Sequence, residues 1–186
     1  MPNEHQQAIL RHLLTTRAQA LHAFYDAAQE PQLLSELADN GVEFASLYSG
    51  VKAITLSDVA PYLISCKHFH ADPDSFIQSY WKRGITMLVE SAGSFEQTRL
   101  QLKKNTYVQN SNGTSCYFRF YDARAFSHFI RTATGPQLLS MFGNDIKTIY
   151  WLDSETQEIT GLKRKRTGLM NRMLHFNPEF EIHYPI

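Results

Sequence analysis

The chain has 186 residues, in which Lys+Arg 18 balance Asp+Glu 18; that length suits one domain with a substantial core, and zero formal charge excludes a global field drawing it to nucleic acid or an anionic membrane, so partners must be chosen by local surface. Its two cysteines, Cys66 and Cys116, are too few for a disulfide scaffold and read as free thiols in a reducing compartment. No apolar run approaches the roughly 20 residues of a membrane span and no basic-then-apolar signal opens the chain, so we expect a cytoplasmic protein that inserts into no membrane.

Ile9, Leu10, Leu13 and Leu14 recur at helical spacing and predict an amphipathic helix within residues 1–19, ending near Thr16. Leu21 to Tyr25 reads as a strand ended by Asp26. Pro31 opens a helix through Leu33, Leu34 and Leu37, which Asn40-Gly41 stops. Strands are expected from Val42 to Leu47 and from Val59 to Cys66, with a short helix from Asp74 to Tyr80 after Asp72-Pro73. Ile85 to Glu90 is the clearest strand. Ser94 then caps a helix carrying Phe95, Leu100 and Leu102, with Glu96 and Gln97 in its first turns.

Asn110-Ser111-Asn112-Gly113 is a turn signal, so Tyr107-Val108 and the stretch from Cys116 to Tyr121 read as a hairpin. Tyr117 to Tyr121 is aromatic with one charge in the middle, which suits a largely buried strand. Asp122 stands where an N-cap should stand, and Phe126, Phe129 and Ile130 give the following helix a core-facing side opposite Arg124 and Arg131. A further helix starts at Gly135-Pro136. Strands from Ile146 to Leu152 and from Ile159 to Leu162 flank the turn Asp153-Ser154-Glu155-Thr156. The pattern describes a single α/β (α+β) domain with a mixed β-sheet flanked by helices, without internal repeats or low-complexity linkers.

Chemical candidates are few. If the third strand ran on through Cys66-Lys67-His68-Phe69-His70-Ala71-Asp72, then Cys66, His68, His70 and Asp72 would share one face, and all four are acceptable zinc ligands. The alternative is that the strand has ended and Asp72-Pro73-Asp74 is a turn; a second ligand segment is also missing, so no metal is expected. No Gly-x-Ser-x-Gly elbow or glycine-rich phosphate loop occurs, and no catalytic residue or cofactor is expected. Asp26 and Asp122 both lie at strand ends, where open α/β sheets often place functional groups, yet helix capping explains both. Arg119 and Arg124 are their candidate ion-pair partners, because a guanidinium within an aromatic stretch is costly unless it is paired or faces water.

Lys163-Arg164-Lys165-Arg166 is the one strong charge run. It can grip phosphates, steer an acidic protein or simply be solvated, and the missing stacking aromatics weigh against nucleic acid. The terminal Phe176, Phe180, Ile182, Tyr184 and Ile186 must pack back on the domain or await a partner.

Phe118-Arg119-Phe120-Tyr121-Asp122-Ala123-Arg124 resembles the hallmark of a bacterial family first catalogued as domain of unknown function 4123, which contains type VI secretion effector adaptors. Other landmarks resemble that family in the same order: Phe24-Tyr25-Asp26-Ala27-Ala28, Leu47-Tyr48-Ser49-Gly50, Val59-Ala60-Pro61-Tyr62-Leu63, Trp81 with Gly84-Ile85 and the run to Val89, and Gln137 to Gly143. Ala123 departs from the proline that members often carry, which keeps the helix but leaves its start less rigid. The resemblance covers residues 20–150 and implies an adaptor domain there, followed by a short variable region at 151–186 that takes part in recognising cargo. It further implies a cytoplasmic adaptor or chaperone, not an enzyme, whose partners are a type VI secretion effector (a toxin) and the valine-glycine repeat spike protein. The expected partner-binding residues are Arg119, Tyr121, Arg124, Phe176, Phe180, Ile182 and Tyr184, with Asp122 as a structural cap. Two other functions stay open on the residues alone: a small enzyme using the strand-end carboxylates or the Cys66 to Asp72 cluster, and a nucleic-acid-binding module using the basic run.

Overall fold

In the computed structural model, which describes residues 2–109, 112–165 and 180–183, every position of the strand Leu21–Asp26 is buried. A strand reaches that state only when both faces of its sheet are covered, and the remaining elements supply the two covers. In chain order they are α1 (Glu4–Arg17), β1 (Leu21–Asp26), α2 (Leu33–Asp39), β2 (Phe44–Ser46), α3 (Val51–Thr55), β3 (Pro61–Ser65), α4 (Pro73–Ser79) and β4 (Met87–Ser91). Then follow α5 (Phe95–Lys103), β5 (Tyr107–Gln109), β6 (Ser115–Tyr117), α6 (Ala123–Thr132), α7 (Gly135–Phe142), β7 (Ile146–Leu152), β8 (Ile159–Arg164) and β9 (Phe180–His183). The seven-stranded sheet runs β2-β3-β1-β4-β7-β8-β9, and β5–β6 stands apart as a hairpin. The expected α/β domain is the fold observed. The mixed sheet expected from the sequence is not observed: all of the described ladders are antiparallel, as hairpin-like and helix-bridged returns of the chain produce.

Alternation along β1 sends Leu21, Ala23 and Tyr25 into one core and Phe24 into the other. The first core is closed by Leu10 and Leu13 of α1, Leu33 and Leu37 of α2, and Phe76 of α4. The second is closed by Leu102 of α5, Phe126 of α6, and Leu138 and Phe142 of α7. Capping boxes start α1 at Asn3 and α5 at Ser94, each leaving fewer orphan backbone donors in the first turn. Arg11 Nε donates to Asp74 Oδ1 at 2.9 Å and ties α1 to α4, so the N-terminal helix belongs to the same core as residues 20–150. Gly143 ends α7 at φ +58°, and the Gln101 side chain occupies the space a Cβ would need, its nearest atom 2.5 Å from that position.

Four other expectations change. Phe118 to Tyr121 is not a strand: β6 stops at Tyr117, Phe118 N–H donates to Thr106 O at 2.9 Å, and Asp122 N–H turns back to Arg119 O at 3.0 Å. The aromatics there are buried by packing on helices and β1, not by a sheet, as the edge-to-face contact of Phe120 on Phe24 at 5.6 Å shows. Strands β2 and β3 are shorter than expected, β3 because the 3-10 turns Ser57–Val59 and Cys66–Phe69 flank it. Helix α3 was not foreseen. Finally, a division at 150/151 falls inside β7, and β8 and β9 continue the same sheet. Among the described residues no helix is long and apolar enough to cross a membrane.

Candidate functional site

Two ion pairs lie where the end of β1 meets the turn between β6 and α6. Asp26 closes β1 with its side chain 5% exposed, and the Arg119 guanidinium, 47% exposed, pairs with its Oδ2. The other carboxylate oxygen accepts the Ala28 N–H at 3.2 Å. Asp122 is the N-cap of α6: its Oδ1 accepts the Arg124 N–H at 2.9 Å, and the Arg124 guanidinium returns to Oδ2 at 3.0 Å. The two aspartates and two arginines thus meet as ion pairs, Asp26 with Arg119 and Asp122 with Arg124.

Arg119 also lies over the Tyr121 ring, 5.8 Å from its centroid. From Tyr121 a chain of phenols runs outward, Tyr121 to Tyr117 at 3.0 Å and Tyr48 to Tyr117 at 2.6 Å. Burial, then the bonds to Tyr121 and Tyr48, push the Tyr117 phenol far up, and burial pushes Tyr121 up as well. Both phenols stay protonated at neutral pH. Burial alone would raise Asp122, but the Arg124 side chain and N–H outweigh it and hold the carboxyl below its usual range. Burial would lower Arg119, yet the charges of Asp26 and the Tyr121 environment hold it above its ordinary value. Each carboxylate is neutralised by its own guanidinium, so the corner offers hydrogen bonds and cations rather than an unpaired base.

A cleft of about 330 Å³ opens beside this corner, with Asp26, Gln29, Tyr121, Asp122, Arg124 and Ser154 in its wall. Arg124, whose side chain is 78% exposed, stands at its rim. Sequence reasoning did not find Tyr48 and Tyr117. Tyr48 stands in the Leu47-Tyr48-Ser49-Gly50 landmark and Tyr117 opens the aromatic stretch, but their pairing spans 69 residues and leaves no local signal that the two meet.

The other candidates are not brought together. The chain leaves the strand at Ser65, so Cys66, His68, His70 and Asp72 do not share a face. Cys66 is fully buried, which pushes its thiol far up, His68 lies edge-on to Phe69, and Asp72 caps α4 by accepting the Ser75 N–H at 3.1 Å. Among the described residues no group of three or more potential ligands forms a metal site. In the basic run, Arg164 donates to Gly143 O and serves the end of α7, while Lys163 is exposed and Arg166 lies outside the described residues. Phe180 and Ile182 fall on β9, and Phe176, Tyr184 and Ile186 lie outside the described residues.

A family model described as Domain of unknown function (DUF4123) matches residues 21–139, a span that contains the whole Asp26–Arg119–Asp122–Arg124 corner. No curated protein and no solved structure matches the chain.

Proposed function

Because the chain belongs to the DUF4123 family, we propose that it is an adaptor, which holds a type VI secretion effector in the cytoplasm and helps load it onto the valine-glycine repeat spike protein. The resemblance of the ordered landmarks from Phe24 to Gly143 to effector adaptors is the ground for naming those partners. The observation that carries a binding role is the corner itself: two carboxylates spent on two guanidiniums, phenols kept protonated, and Arg124 projecting from the rim of an open cleft. Such a surface recognises a partner by cation and hydrogen bond while its geometry is held from within. In this reading Arg119, Tyr121 and Arg124 face the effector, and Asp122 acts through the helix start it caps. Phe180 and Ile182 contribute from the sheet edge, together with Phe176 and Tyr184.

Co-expression with the products of the neighbouring genes tests the proposal. A stable stoichiometric complex with a large toxin, with the spike recruited to it, is the expected result. A folded protein that captures neither would sink it.

A further inference from the structure

Eight large apolar residues are exposed among the described residues, and seven of them lie in two short segments, 51–59 and 107–117. Val51 and Ile54 on α3 are 75% and 78% exposed, and α3 buries no residue of its own. A five-residue helix without a buried face gains nothing from the core, and a lone two-stranded hairpin is at best marginal in water. The two lean on each other instead. Lys52 Nζ donates to Tyr107 Oη at 2.8 Å and lies over that ring, and Tyr48 and Tyr117 join the segments through their hydroxyls. On its other face the hairpin carries Val108, which overlooks a groove of about 300 Å³ walled by Phe118, Phe129 and Met141, with Lys104 alongside. Exposed apolar residues are ordinary when scattered; gathered on one projecting feature they mark an interface.

The charges carried by these two segments are mainly positive. Segments 50–59 and 103–119 contain Lys52, Lys103, Lys104 and Arg119 against the single acid Asp58. Arg119 is neutralised by Asp26, but among the described residues Lys52 and Lys104 bond neutral oxygens, those of Tyr107 and Gln101, and no carboxylate, so their charges are left for a partner.

We propose that α3 and the β5–β6 hairpin form a docking surface for an acid-flanked apolar segment of a partner protein, an amphipathic helix whose apolar face covers Val51 and Ile54 while its carboxylates meet Lys52 and Lys104. The identity of that partner as the effector rests on the adaptor reading above; the surface itself does not. Helix-on-groove docking of this kind puts affinity in the apolar anchors, and discrimination in the flanking charges.

Two fluorescent four-turn helical peptides with the same leucine face, one with glutamate and one with lysine on the polar face, test the surface by anisotropy against the full chain. The glutamate peptide should bind at least tenfold tighter than the lysine peptide. Val51→Asp/Ile54→Asp should weaken it at least tenfold at an unchanged melting temperature, since both positions lie in water, and Lys52→Glu should erase the preference. Equal binding of both peptides, or undiminished binding by the aspartate variant, would overturn the proposal. So would sedimentation as a dimer that the aspartate variant dissolves, which would make a second copy of the chain the occupant. Effector capture is scored separately. Peptide binding without any effector captured by the wild type would count against the adaptor role and leave the surface standing; an effector captured equally by wild type and aspartate variant, without peptide binding, would do the reverse.

Discussion

Asp26 and Arg119, 93 residues apart in sequence, form an ion pair whose carboxylate is buried and whose guanidinium is half in water. The asymmetry sets what each deletion costs. Arg119→Ala strands a carboxylate that is 5% exposed, whereas Arg124→Ala removes a guanidinium that is 78% exposed.

Arg119→Ala should therefore lower stability by about 2 kcal/mol, below the roughly 3–5 kcal/mol of a fully buried pair because solvent screens the exposed partner. Arg124→Ala should shift the urea midpoint hardly at all while weakening effector capture. Equal stability losses for the two would show that Arg124 is a structural residue, and that the rim of the cleft is not a recognition surface.

The start of α6 supports a paired prediction. Asp122→Ala removes the cap and should cost about 1 kcal/mol. Ala123→Pro should do the opposite: the position is the first of the helix, its N–H serves no hydrogen bond within the helix, and Asp122 already has the extended backbone, φ −90° and ψ 120°, that a following proline requires. A gain of about 0.5–1 kcal/mol, or roughly 2 °C in melting temperature, is expected. A loss would mean that the ring collides with the second core, where Ala123 is packed.

Local chemistry made much of this legible from sequence. Ile146–Leu152 is a strand end to end because its two faces meet two cores, and Ser94 with Gln97 announces α5 through a capping box that needs no tertiary information. The cost of an unpaired guanidinium near aromatics pointed to carboxylate partners for Arg119 and Arg124, but which aspartate each takes is visible only in the fold. What failed depended on distant contacts. Phe118 to Tyr121 carries the composition of a buried strand, but its burial comes from Phe24 and the helices, and the chain turns at Arg119 instead of continuing the ladder. Helix α3 has no amphipathic pattern to detect, since it buries nothing, and the Tyr48–Tyr117 contact has no local signature at all.

His22 on β1 offers a pH prediction. It is 3% exposed, both ring nitrogens are without a hydrogen-bond partner, and Phe95 meets it edge-on at 5.5 Å. Burial pushes its pKa down to about 4, with a smaller upward pull from Glu43 and a smaller downward push from Lys67. The unfolded chain binds a proton here below about pH 6.5, but the folded chain does not until about pH 4, so unfolding takes up a proton between those values. The contribution is intact above the unfolded pKa and is lost as pH falls toward 4, by about 3 kcal/mol in all. Urea titrations of wild type and His22→Leu at several pH values in this window check it. The variant should show a shallower acid decline, and identical slopes would place the acid sensitivity elsewhere.

The last prediction concerns the C-terminal strand. Phe180–His183 pairs with Gly161–Arg164 of β8, so its backbone belongs to the sheet even if its side chains meet a partner. Deleting residues 180–186 uncovers the outer edge of β8, and an uncovered edge invites pairing with another chain. The truncated protein should stay folded, because β7 and β8 keep both cores closed, but melt several degrees lower and self-associate. Effector capture should be abolished. Lys163→Ser/Lys165→Ser, which spares the bond from Arg164 to Gly143 O, should only slow association at low salt, as expected for rim charges. Capture undiminished in a folded truncation would remove Phe180 and Ile182 from the effector site. Complete unfolding would make β9 part of the core, and point substitutions at Phe180 and Ile182 that preserve the strand would then decide whether these side chains also touch the effector.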